Sequence, residues 1–178
     1  MSQTVLGIII GSVRKNRESI KPAKVLIKMA ENLDCRVKIL DLLDYGLPVY
    51  DESHPEAEKR WIQDILACDA LIMVFPEYNH VASPALLNAL DYLREYELRD
   101  KVVGLVSVSD GNFGGVRGQA VLKASLPTFE CILCPLTVAV RLVDKAFLGD
   151  GAYDKKYESK FRNLLNAVLN LTLKLKSK

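Results

Sequence analysis

The chain reads as a single α/β domain built on a doubly wound sheet of five parallel strands, order 2-1-3-4-5, with helices on both faces. Three observations predict it. Strand-like apolar runs alternate with helical patterns along the 178 residues, which calls for parallel strands joined by right-handed crossovers. The first run, Val5-Leu6-Gly7-Ile8-Ile9-Ile10, carries no charge and is rich in β-branched residues, as a strand buried on both faces requires. It stops abruptly at Gly11-Ser12, so the chain leaves the interior of the sheet through a turn.

The remaining elements follow in order. Residues 19–33 place Ile20, Ala23, Val25, Leu26, Ile27, Met29, Ala30 and Leu33 on a helical stripe that opens near Pro22. Cys35-Arg36-Val37-Lys38-Ile39-Leu40 alternates polar with apolar, the habit of an edge strand. Residues 41–55 hold Gly46, Pro48 and Pro55 without a period, which predicts a long loop overhanging the site. Helical spacing resumes over 56–68, where the lone Trp61 is read as packing. A third strand is expected at 70–75, a helix from Pro84 through 96–99, and a buried fourth strand at 101–108. A helix over 114–129, a last strand at Ile132–Val140 interrupted by Pro135, and a closing amphipathic helix over 157–175 complete the pattern.

Composition bounds the function. With 49% hydrophobic and 26% charged residues, and no repeat, linker or low-complexity tract, residues 1–178 fit one compact soluble domain. The 24 basic and 22 acidic residues leave a net charge of +2 with no long run of either sign, so neither nucleic acid nor a membrane surface is an expected partner. The first apolar run is too short to span a bilayer or form a secretory core, and a cytoplasmic protein is the expectation. Cys131 and Cys134 have C-x-x-C spacing, but residues three apart on a strand point to opposite faces. Neither a redox pair nor a metal site is expected, and all four cysteines read as reduced and apolar.

In a doubly wound sheet ligands bind beyond the carboxyl ends of the strands, where the loops after the first, third and fourth strands converge. Each of these loops is unusual. Gly11-Ser12-Val13-Arg14, then Lys15-Asn16-Arg17-Glu18-Ser19 and a helix, gathers hydroxyls, two guanidinium groups and helix N-terminal N–H groups, the makings of an anion site. Alone, it reads equally as a basic, solvated turn. Pro76-Glu77-Tyr78-Asn79-His80 opens a helix and serves no hydrophobic purpose. The third loop carries Ser109, Gly111, Gly114 and Gly115, whose glycines let a ligand come close to backbone N–H groups. Three such loops at one edge make a binding crevice the natural reading.

These motifs carry a resemblance. Gly11-Ser12-Val13-Arg14, Pro76-Glu77-Tyr78-Asn79, Asn88-Ala89-Leu90-Asp91 and Gly114-Gly115-Val116-Arg117 are similar to motifs of the NADPH-dependent FMN reductases. They correspond to that family's phosphate loop, its diagnostic tetrapeptide, the helix that the tetrapeptide opens, and its third loop. The family is flavodoxin-like and includes quinone, azo-dye and chromate reductases; the resemblance spans nearly the whole chain. Arg17 departs from it, standing where many members carry a small hydroxyl residue. So does Ser83-Pro84 followed by Leu86-Leu87, which replaces an earlier proline and a lysine before the asparagine. The resemblance implies FMN, its phosphate held by Ser12, Arg14 and Ser19 with Arg17 in the same candidate set. It places the ring against Pro76, Glu77, Tyr78 and Asn79 and the segment holding Ser109, Gly111, Gly114 and Gly115.

A bound flavin would carry the chemistry, so no side-chain nucleophile is expected. His80 is the one candidate proton donor or substrate-lining group, and reads more readily as a polar residue opening a helix beside Asn79. Tyr78 either stacks on the ring or fills the crevice wall. The implied activity is an FMN-dependent NAD(P)H oxidoreductase, drawing on NADPH or NADH and reducing a small acceptor: a quinone, free flavin, azo compound or metal oxyanion. The alternative is a non-enzymatic flavodoxin-like electron carrier or a regulatory FMN-binding module, although such carriers are typically strongly acidic. A homodimer or homotetramer is expected, with its contact on the helix after Pro84. There Leu86, Leu87, Leu90, Tyr92, Leu93, Tyr96 and Leu98 form an arc broader than one sheet face covers.

Overall fold

The computed structural model describes residues 3–51, 53–148 and 151–177. β1 (Val5–Ile10) leads through a loop to α1 (Ile20–Ala30) and then to β2 (Arg36–Asp41). α2 (Leu42–Tyr45) and α3 (Glu56–Leu66) precede β3 (Ala70–Tyr78), which turns into β4 (Val81–Ala82), α4 (Pro84–Asp91) and α5 (Glu95–Leu98). β5 (Val102–Val108), α6 (Val116–Ser125) with a 3-10 turn at Leu126–Phe129, β6 (Ile132–Val140), α7 (Val143–Ala146) and α8 (Lys156–Lys176) follow.

The five long strands are parallel and stand in the order β2-β1-β3-β5-β6, the expected arrangement. A sixth strand was not expected. β4 folds back antiparallel on the end of β3, with Glu77 opposite Ala82 and Tyr78 opposite Val81. Its turn residues Asn79 and His80 both have positive φ, 51° and 69°, the geometry that lets a two-residue hairpin follow the twist of its strands.

Alternation along the strands feeds two cores. Leu6, Ile8 and Ile10 of β1 face the layer of α1 and α8, with Leu26, Phe161, Leu164 and Val168, while Ile9 faces Trp61, Ile65, Leu86 and Leu122 on the other side. Trp61 is fully buried and donates its indole N–H to the Ala89 carbonyl at 2.8 Å, a packing role. Cys134 lies in the first core and Cys131 against the second, so the pair straddles the sheet as its spacing predicts. Burial pushes the Cys131 thiol up to about 11. At Pro135 the pairing of β6 with β5 slips between Val103 and Leu105, because proline cannot donate to a ladder.

Several expectations need correction. The 41–55 segment is not all loop. Asp41 accepts the Leu43 N–H at 3.1 Å, capping the single turn of α2, which ends at Gly46 in a left-handed conformation. The helix from Pro84 to Arg99 is two helices. Arg94 is extended and its N–H is taken by the Glu97 carboxylate at 2.6 Å, which starts α5 afresh. That break turns Tyr92, Leu93 and Leu98 inward, so the arc expected to lie uncovered is internal except for half-buried Leu87 and for Tyr96, which is 56% exposed. The 114–129 helix begins at Val116 and tightens to a 3-10 turn around Pro127. Among the described residues no helix is long and apolar enough to cross a membrane.

Candidate active site

The three loops meet beyond the carboxyl ends of β1, β3 and β5, and the fold stitches them together. The Gly11 N–H donates to the Val74 carbonyl at 2.8 Å, and the Ser83 hydroxyl donates to the Gly11 carbonyl while accepting the Leu86 N–H at 3.3 Å. Ser83 is thus both the cap of α4 and a tie between the first two loops. The third loop is fixed from beneath. Ser107 donates to the Gly114 carbonyl at 2.6 Å and accepts from Gln119, whose amide also donates to the Val138 carbonyl at 2.8 Å.

Gly115 shows why glycine is required there. Its φ is 82°, and a Cβ would stand 2.8 Å from the Ser107 Cβ and 3.2 Å from the Glu77 Cβ. Only a bare backbone lets the second and third loops approach this closely. On the far side, Leu142 takes a left-handed conformation, φ 47°, and donates its N–H to the Gly111 carbonyl at 3.2 Å; the Val143 N–H donates to the Ser109 carbonyl, also at 3.2 Å. A bulky residue held there pays strain to pin that loop.

Between the loops lies a cavity of about 320 Å³, lined by Arg14, Asn16, Glu18, Ser19, Pro76, Glu77, Tyr78, Val108, Ser109, Asp110 and Val143. That size suits a small ligand or part of a larger one. Six sequence candidates therefore meet at one wall or another: Arg14, Ser19, Pro76, Glu77, Tyr78 and Ser109. The Arg14 guanidinium sits 5.6 Å from the centre of the Tyr78 ring, bridging the first two loops across the mouth. Ser19 is 1% exposed, and its hydroxyl has no hydrogen-bond partner among the described residues. It stands at the N-cap of α1 yet caps nothing.

The other candidates build the walls without facing the cavity. Ser12 is buried, and its hydroxyl accepts the Arg14 N–H at 3.4 Å. Arg17 is turned onto Asp41 and the Ser12 carbonyl. Asn79 supplies the hairpin turn; Gly111, Gly114 and Gly115 shape the third loop. His80 is exposed at the rim, its Nδ1 3.2 Å from the Arg117 guanidinium and 3.7 Å from Glu77. The second Glu77 oxygen accepts the Gly118 N–H at 2.7 Å, so Glu77 joins the second loop to the start of α6. Asn16 and Glu18 also line the cavity, and their place in the sequence between Arg14 and Ser19 is the signal for them. Val143 had none, since it reaches the cavity only through the turn at Leu142.

A model of the family described as NADPH-dependent FMN reductase matches residues 4–144. A quinone reductase of Pseudomonas putida is 34% identical over 164 residues, covering 85% of this chain and 82% of that protein. An FMN-dependent NADPH-azoreductase of Staphylococcus aureus is 28% identical over 177 residues, 92% of each chain. In three dimensions the chain is similar to FerB, a flavoenzyme NAD(P)H:(acceptor) oxidoreductase of Paracoccus denitrificans, with a TM-score of 0.83, 25% identity and coverage of 96% of this chain and 98% of that one. The motifs in the three loops, the strand order and these likenesses agree, and the chain belongs to the NADPH-dependent FMN reductase family.

Proposed function

We propose that this protein holds FMN in the cavity between its three loops and uses NADPH or NADH to reduce a small acceptor: a quinone, an azo compound, free flavin or a metal oxyanion. The observation that carries the reading is the Ser19 hydroxyl, buried, without a partner among the described residues and lining the cavity at the start of an 11-residue helix. A buried hydroxyl is rarely left unpaired, and a helix N-terminus favours an anion, so the residues present fit a phosphate there. Arg14 completes that end, with Ser12 behind it; Pro76, Glu77, Tyr78, Ser109 and Asp110 offer the wall for a flat ring. When bound, FMN supplies hydride acceptance from a nicotinamide and onward delivery of electrons.

What the chain contributes is placement. Glu77, tied to Gly118, and Ser109, tied to Val143, hold two neighbouring parts of the wall still, while Arg14 over Tyr78 covers the mouth. His80 lies at the rim beside Arg117, where an acceptor would arrive, and is assigned to acceptor contact.

The working unit is proposed to be a homodimer or homotetramer. An apolar groove of about 620 Å³ lies beside the first loop, lined in part by Val13, Leu43, Leu47, Val49, Ala85 and Leu87. Val49 there is 83% exposed, which favours a covering neighbour on this face. Four unpaired cysteines suit a reducing compartment, and a cytoplasmic location belongs to the same proposal.

The test is the absorption spectrum of the purified protein, followed by anaerobic titration with NADPH. A flavin spectrum that bleaches on titration is the expected result. A colourless protein that takes up no FMN would overturn the proposal, and a yellow one that NADPH leaves unbleached would point to an electron carrier.

A further inference from the structure

Arg17 of the first loop pairs with Asp41 at the end of β2, and neither residue lines the cavity. Arg17 Nη1 donates to the Ser12 carbonyl at 2.7 Å and to Asp41 Oδ1 at 2.8 Å, while Nη2 meets the other Asp41 oxygen. The two side chains are only 11% and 13% exposed. Asp41 is itself held, because it ends β2 and its Oδ1 caps α2 through the Leu43 N–H. Both terminal nitrogens of the guanidinium are therefore committed to a rigid acceptor, in the paired geometry that arginine makes best. Arg14, by contrast, lines the cavity.

We propose that Arg17 is a positioning residue for the phosphate and not one of its ligands, with Asp41 as the post that anchors it. This rests on the FMN reading above. A carbonyl oxygen facing an anion would repel it, and Arg17 draws the Ser12 carbonyl onto itself. Because C=O and N–H of a trans peptide point in opposite directions, pinning that carbonyl also fixes the direction of the Val13 N–H. The Ser12 hydroxyl, bonded to the Arg14 N–H, sets the next peptide in turn. The pair thus shapes the stretch from Ser12 to Arg14 from behind, in a chain where arginine stands in place of a small hydroxyl group.

The sign of one substitution separates the two roles. If Arg17 could serve the phosphate directly, Asp41→Asn would release its guanidinium and strengthen FMN binding; if Arg17 positions the loop, the same change weakens it. We would titrate flavin-stripped wild type, Asp41→Asn and Arg17→Lys with FMN and with riboflavin, following flavin fluorescence. Each variant is expected to bind FMN about tenfold or more weakly, as loss of an outer-shell partner does elsewhere, with riboflavin affinity little changed. Lysine keeps the charge but not the fork, so Arg17→Lys also decides the matter if Asp41→Asn does not fold. Unchanged or tighter FMN binding by Asp41→Asn, or a wild-type FMN preference in Arg17→Lys, would overturn the proposal. So would equal losses for both flavins, the mark of a merely structural pair. A wild type that binds FMN and riboflavin alike would instead overturn the phosphate site itself.

Discussion

Replacing Ser19 with Ala asks whether its hydroxyl serves the fold or a ligand. The side chain is buried at the N-cap of α1, and no cap bond or other partner engages its oxygen among the described residues. A serine that caps a helix stabilises it by about 1 kcal/mol, but Ser19 makes no such bond, so that loss does not arise. An unpaired buried hydroxyl instead costs about 1–3 kcal/mol. Flavin-free Ser19→Ala protein is therefore expected to exceed the wild type in stability, by up to about 3 kcal/mol. FMN binding should move the other way. Loss of one hydrogen bond to a charged phosphate, about 1.5–3 kcal/mol, corresponds to roughly 10- to 150-fold weaker affinity. Urea denaturation of the stripped protein supplies the first number and fluorescence titration with FMN the second. A variant that loses a cap-sized increment of stability and binds FMN as tightly as wild type would refute the reasoning.

Three further predictions use other parts of the structure. Gly115→Ala must place a Cβ 2.8 Å from Ser107 at a φ of 82°, so strain and overpacking together should destabilise the protein by about 2–5 kcal/mol, read by denaturant midpoint; an unchanged midpoint would mean the loop is elsewhere. On the proposed reading donor and acceptor use one cavity in turn, which predicts parallel double-reciprocal lines for NADPH against a quinone, whereas intersecting lines would require room for both at once. Leu87→Arg or Val49→Glu should split the proposed oligomer in light scattering while leaving the monomer folded, since both side chains line the outer groove; a monomeric wild type at micromolar concentration would remove the basis for it.

Much of this fold is legible in the chain because burial leaves a periodic trace. The uncharged run of β1 and the alternation of β2 set both the sheet and its order, and the opposite faces of Cys131 and Cys134 follow from strand geometry alone. The three loops are legible for a related reason, since serine, arginine and glycine at strand ends satisfy no packing need. What escapes a reading of the chain depends on distant partners. The break at Arg94 needs the Glu97 carboxylate to turn back on its backbone, and the inward turn of Leu93 and Leu98 follows from that break. Arg17 reads from sequence as a further candidate for the phosphate until Asp41, 24 positions on, is found beside it. The reach of Val143 into the cavity requires Leu142 to adopt a conformation that leucine rarely takes.

The slip of β6 at Pro135 bears on how the protein avoids itself. β6 is an outermost strand, and a regular one would offer its free row of donors and acceptors to any other exposed strand, including that of a half-folded copy. Pro135, exposed at the middle of that border, lacks a donor and throws the adjoining residues out of step. At the opposite border exposed Arg36 of β2 brings like charges together whenever two copies meet edge to edge. Both margins of the sheet are thus hostile to the stacking that builds fibrils, and a valine at position 135 would reopen one of them.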